Sequence, residues 1–156
     1  MSPPITIIVR HKRENPKKCS VLPLKGRADM AFHEYPGERP TELAGYIRLA
    51  ADGPELERAD QGSGILLLDG SWRSAQKMIT HYADVPARSL RGWKTAYPRV
   101  SKLGTDPDNG LASIEALYIA YVILGRRTDG LLDHYRWADE FLAMNGFAAP
   151  DTSTTS

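Results

Sequence analysis

Cysteine is almost absent. Cys19 stands alone among 156 residues, which excludes an internal disulfide framework and leaves no repeated thiol spacing for a metal. Histidine is scarce as well. His11, His33, His81 and His134 lie far apart and form no ligand motif, so no zinc site is expected. No apolar run approaches the roughly 20 residues needed to cross a bilayer. The start, Met1-Ser-Pro-Pro, passes directly into an apolar run with neither a basic region nor a small-residue cleavage site. No signal peptide is therefore expected, and with a single thiol the expected setting is reducing and cytoplasmic.

What is present suits one folded unit. The chain is 42% hydrophobic and 25% charged, ordinary values for a domain with a sizeable core. The net charge of +1 says nothing of partners, but its distribution does. Arg10, Lys12, Arg13, Lys17, Lys18, Lys25 and Arg27 face only Glu14 in their stretch, and a second basic stretch runs from Arg73 to Lys102. The segment Glu34 to Asp60 between them is acidic. Segregation of this kind builds either a basic face for phosphates or an unevenly charged, solvated surface.

Ile5 to Val9 is β-branched and apolar and reads as a buried strand. Ala31–Tyr35 and Tyr46–Leu49 read as further strands. Asp52-Gly-Pro54-Glu55 has the form of a helix start, with Asp as cap and Pro in the first turn. Gly64–Leu68 is the clearest strand, and it runs through Asp69-Gly70-Ser71 into a helix with Trp72, Ala75, Ile79 and Tyr82 on one face. Ser89 to Pro98 reads as irregular or partly extended, and Asp106 to Gly110 as a turn. Ser113 is expected to cap an apolar helix that Gly125 ends. A last amphipathic helix is expected to carry Leu131, Tyr135, Ala138 and Leu142. The tail 148–156 is expected to be disordered. The fold class is α/β, with an N-terminal mixed part (1–62) and a helix-rich C-terminal part (63–147).

Three places carry chemistry. Asp69 ends a strand, where open α/β sheets bind ligands; with Trp72 beside it, the carboxylate suits a cationic ligand. It serves equally as a helix cap. Asn15-Pro-Lys-Lys-Cys-Ser20 reads as a phosphate-facing loop or as a solvated turn. Ser113 reads as a ligand contact at a helix start or as a plain N-cap. Cys19 lies next to Lys18 but has no adjacent histidine, so it reads as a small hydrophobe rather than a nucleophile.

Taken in order, these stretches resemble the small-subunit ribosomal RNA aminocarboxypropyltransferases, relatives of the knotted SPOUT methyltransferases. The matching segments are Asn15–Ser20, Ile65–Trp72, Ser113–Arg126 and Leu131–Asn145. Asp69-Gly-Ser-Trp-Arg-Ser-Ala-Gln-Lys-Met78 and Tyr97-Pro-Arg-Val100 are also similar to the DTW-domain tRNA uridine aminocarboxypropyltransferases. Lys102–Gly110 is shorter than the asparagine-rich segment of the ribosomal family. The resemblance implies a trefoil knot in the C-terminal part and S-adenosylmethionine as aminocarboxypropyl donor. It places Asp69 and Trp72 at the methionine end of the donor, Ser20 and Ser113 as polar contacts, and Tyr97 and Val100 on the adenosine side. Asp69 is the candidate catalytic residue, either as base or as partner of the donor's ammonium. Arg10, Lys12, Arg13, Lys17 and Lys18 are the candidate RNA contacts. The RNA expected is that of the small subunit, with tRNA second, and the protein is expected to be a monomer. A non-catalytic RNA-binding or ribosome-assembly protein would use the same basic loops.

Overall fold

Ile7, Ile8 and Val9 leave no polar face for solvent, and β1 (Thr6–His11) accordingly lies inside a sheet, covered on both sides. This is a computed structural model, and it describes residues 4–12, 20–40, 43–70, 72–97 and 111–147. The remaining strands are β2 (Met30–Tyr35), β3 (Tyr46–Glu55), β4 (Gly64–Asp69) and β5 (Ala87–Ser89). All five are parallel, in the order β2-β1-β4-β3-β5. Among the described residues three α-helices follow β4: α1 (Trp72–His81), α2 (Ser113–Leu124) and α3 (Ala138–Met144). The stretch from residue 63 thus holds every α-helix described, but two strands as well. Its β4 sits between β1 and β3, so the helices do not form a part separate from the sheet.

The pleat sorts the core into two halves. Ile8, Ile47, Ile65 and Leu67 belong to a cluster with Ile114, Leu117 and Leu124 of α2 and Phe141 of α3. Ile7, Val9 and Leu66 pack with Met78 of α1 and with Tyr82 and Val85 just after it. The sheet is therefore sandwiched, with α2 and α3 on one face and α1 on the other. A one-residue slip of β1 or β4 would exchange these faces, and each fully buried Ile or Leu contributes roughly 1.5–3 kcal/mol.

Several elements differ from what the sequence pattern predicts. Ile5 lies before β1 and is exposed, while the strand extends to His11 because β1 pairs with β4 as far as Arg10 and with β2 as far as His11 opposite Tyr35. Asp52-Gly-Pro-Glu55 starts no helix. It is the end of β3, where the register against β5 shifts between Ala50 and Glu55, both opposite Ser89. Gly53 takes φ +104 there, and the Ser89 hydroxyl donates to its carbonyl. A proline is tolerated at such a bulge, where the ladder does not need its missing N–H. The only helical turn nearby is the short 3-10 segment Arg58–Asp60. The last helix is shorter than the apolar pattern suggests. Successive turns, with Tyr135 N–H donating to Leu132 and Ala138 N–H to Tyr135, carry Leu131 and Tyr135 to the buried side before α3 begins. Gly125 ends α2 as expected, at φ +72. The turn read at Asp106–Gly110 and the tail 148–156 lie outside the described residues.

One buried carboxylate fixes how α2 meets the chain around it. Glu115 has no exposed surface. Its Oε1 accepts from the Thr95 hydroxyl at 2.6 Å and the Ala112 N–H at 2.8 Å. Its Oε2 accepts from the Ala96 N–H and the Tyr135 hydroxyl, both at 2.8 Å. Asn145 adds a second clasp, taking the Lys94 N–H on its Oδ1 and donating to the Lys94 carbonyl. Glu115→Ala would leave four donors without their acceptor. The expected loss is at least about 3 kcal/mol, read from urea unfolding. Tyr135→Phe should cost about 1 kcal/mol. An unchanged midpoint for Glu115→Ala would show that the carboxylate does not hold these segments.

Candidate functional site

In a parallel sheet, ligands bind beyond the carboxyl ends of the strands, where neighbouring strands send their connections in opposite directions. Here that point lies between β1 and β4. From β1 the chain passes outward to β2, and from β4 it passes through α1 to β5 on the far edge. There Asp69, the last residue of β4, lies directly opposite Arg10, the penultimate residue of β1.

Both turn to the α2 face, because Arg10 follows Ile8 by two and Asp69 follows Leu67 by two. Asp69 Oδ2 accepts from Arg10 Nε at 3.3 Å, and the two side chains are only 9% and 13% exposed. Asp69 Oδ1 accepts from the Ser113 hydroxyl at 2.6 Å. Ser113 is the first residue of α2 and not its cap; the cap position is Ala112, which has no side-chain acceptor. The orphan N–H groups of the first turn are satisfied from elsewhere. Glu115 takes that of Ala112, and Ser20, 94 residues away in sequence, takes that of Ile114 on its Oγ at 3.1 Å. The end of the basic loop, the end of β4 and the start of α2 thereby meet at one place.

Of the candidates named from sequence, Ser20, Asp69 and Ser113 come together here. The Asp69 carboxylate reaches across to Ser113 and Arg10. Tyr97 packs edge-on against Trp137 at 5.2 Å and its N–H donates to the Thr95 hydroxyl, which is itself bonded to Glu115. Arg10 turns its side chain inward to Asp69, with the parity of Ile8, while Lys12, beyond the end of β1, is exposed. Arg88 of the second basic stretch likewise turns to Asp60, at 3.4 Å. Arg13, Lys17, Lys18, Cys19 and Val100 lie outside the described residues, as does the side chain of Trp72. Among the described residues no three His, Cys, Asp or Glu side chains gather as a metal site, and no helix is long and apolar enough to cross a membrane. One residue escaped the sequence reading. Glu115 carried a signal in its place two residues after Ser113, within reach of the helix's first N–H groups. The inward direction of Arg10 had a signal in the strand parity it shares with Ile8.

No family model and no curated protein matches the chain. The chain is similar to the solved structure of the SAM-dependent rRNA:acp-transferase Tsr3 from Vulcanisaeta distributa. The TM-score is 0.72, covering 93% of this chain and 80% of that one at 22% identity. At that identity the likeness is one of fold.

The meeting of Asp69 and Ser113 is measurable without any ligand. Ser113→Ala should destabilise the wild type but have little further effect in an Asp69→Ala background, a coupling of about 1 kcal/mol or more in urea unfolding. Strictly additive losses would mean that the two side chains do not share a hydrogen bond in solution.

Proposed function

We propose that this protein transfers the 3-amino-3-carboxypropyl group of S-adenosylmethionine to a uridine-type base of small-subunit ribosomal RNA. In this reading it acts in ribosome biogenesis, in the cytoplasm and as a monomer. The observation that carries the reading is the convergence of Ser20, Asp69 and Ser113 at the switch between β1 and β4. The fold shared with Tsr3 supports it. The proposal includes the trefoil knot of the SPOUT-like part.

The residues present suit the donor. A buried carboxylate at a strand end matches a ligand that carries an ammonium and a sulfonium. When bound, S-adenosylmethionine supplies a carbon activated by its sulfonium. Asp69 holds the cationic end, with Ser20 and Ser113 as polar neighbours. Trp72 joins Asp69 at the methionine end, and Tyr97 and Val100 take the adenosine side. Both Asp69 oxygens already accept hydrogen bonds, which supports a fixed anionic contact to the donor over a group that takes a proton from the base. What the protein adds is orientation: it buries the methyl and leaves the aminocarboxypropyl chain facing the RNA. Lys12, Arg13, Lys17 and Lys18 meet RNA phosphates.

Labelled donor tests the reading. Small-subunit RNA is incubated with the protein and S-adenosylmethionine labelled on either the carboxyl or the methyl carbon. Carboxyl label should enter the RNA, and methyl label should leave as methylthioadenosine. Methyl label in RNA would make the protein a methyltransferase. Carboxyl label that enters only tRNA would move the substrate to that class. A protein that binds RNA but no donor would be a non-catalytic assembly factor. Replacing Lys17 and Lys18 with Ala should flatten the salt dependence of RNA binding by about one to two units of slope; a wild-type slope would remove the loop from the phosphate contacts.

A further inference from the structure

Arg10 belongs by sequence to the basic stretch, yet its geometry gives it different work. It is the penultimate residue of β1, directly opposite Asp69, on the strand face that α2 covers. Its Nε donates to Asp69 Oδ2 at 3.3 Å, while the Ser113 hydroxyl holds Oδ1 at 2.6 Å. With 13% of its side chain exposed, little of it remains for a phosphate in solvent. A buried ion pair is also a poor stability device, because desolvation of both charges offsets much of their attraction. A pair that adds little to stability and sits at the ligand edge of the sheet fits a role in orienting a functional group. A carboxylate at a strand end turns about its side-chain bonds unless both oxygens are held. Here β1 and α2 each hold one.

We propose that Arg10 is a positioning residue: with Ser113 it fixes the plane of the Asp69 carboxylate toward the donor, and it makes no contact with RNA phosphate. This assignment rests on the donor site proposed above. Arg10 acts through Asp69 and not on the donor itself, so its effect exists only while Asp69 is present.

The test is calorimetry with S-adenosylmethionine on the wild type, Arg10→Met, Arg10→Lys, Asp69→Ala and the Arg10→Met/Asp69→Ala double variant, with circular dichroism to confirm folding. Arg10→Met should weaken binding about tenfold. Arg10→Lys should weaken it only about threefold, since an ammonium keeps the charge but lacks the planar fork. In the Asp69→Ala background Arg10→Met should add less than about twofold. The salt slope of RNA binding should match the wild type in Arg10→Met, unlike the Lys17/Lys18 variant.

Wild-type donor affinity in Arg10→Met, or effects of Arg10 and Asp69 that simply multiply, would overturn the role. So would a slope reduced by about one with donor affinity intact, the mark of a phosphate contact. If Arg10→Met does not fold, Arg10→Lys decides, and wild-type affinity there overturns the role. Failure of the wild type to bind S-adenosylmethionine would sink the donor site itself; binding indifferent to Arg10 would sink only the role of Arg10.

Discussion

A carboxylate withdrawn from solvent must find donors for both oxygens, and Glu115 finds four. They come from three stretches of chain: the Thr95–Ala96 backbone and hydroxyl, the residue before α2, and the Tyr135 side chain. None of these stretches can shift without leaving part of a buried anion unsatisfied, which is among the costlier defects a core can carry. The position also suits the anion electrostatically, since it lies in the first turn of α2, where the helix presents the positive end of its dipole. Asn145 holds the Lys94 backbone by both its groups, and Trp93 stacks on Phe147 at 5.4 Å. The 93–97 segment is thus held along its length.

Fixing α2 through Glu115 fixes what its first turn presents to the sheet. Ser113 and Ile114 face the carboxyl edge, one donating a hydroxyl to Asp69 and the other an N–H to Ser20. The sheet meets them with residues of matching parity. Its pleat sends Arg10 and Asp69 to the same face as Ile8 and Leu67, so the strands that build the core also aim the polar pair at the end of that core. At the opposite edge, the Thr6 and Tyr121 hydroxyls share a bond of 2.6 Å that ties β1 to α2 near its far end. Burial pushes the Tyr121 phenol above its ordinary value. The helix is pinned to β1 at one end and to β4 at the other, which is why the site geometry does not depend on a loop alone.

Much of this architecture is legible in local sequence. The apolar runs at Ile7–Val9 and Ile65–Leu67 and the glycine closing α2 each follow from residue type and spacing. The misreadings have a common origin. Asp52-Gly-Pro-Glu55 has the local chemistry of a helix start, but pairing with β5 makes it a bulged strand end, and the bulge satisfies the same turn-forming residues. Leu131 to Leu142 has helical spacing, but the pattern records only which side is buried, and a run of tight turns ending in a short helix buries the same side. The inward turn of Arg10 is readable from its parity and not from its place in a basic stretch, because charge composition carries no information on direction.

The sequence by itself determined that a carboxylate would stand at the end of a buried strand, that Ser113 would open a buried helix, and that the chain would pack an α/β sheet. Each of these is a local consequence of hydrophobic period, turn chemistry and element length. Only the tertiary structure decided that Asp69, Ser113, Ser20 and Arg10 are neighbours. It also decided that the helix start is satisfied by a serine 94 residues distant and that a basic side chain turns inward. Those outcomes depend on strand order and register, which are set by how whole elements bury their faces against one another. Such pairings are non-local, and no window of sequence shorter than the sheet itself contains them.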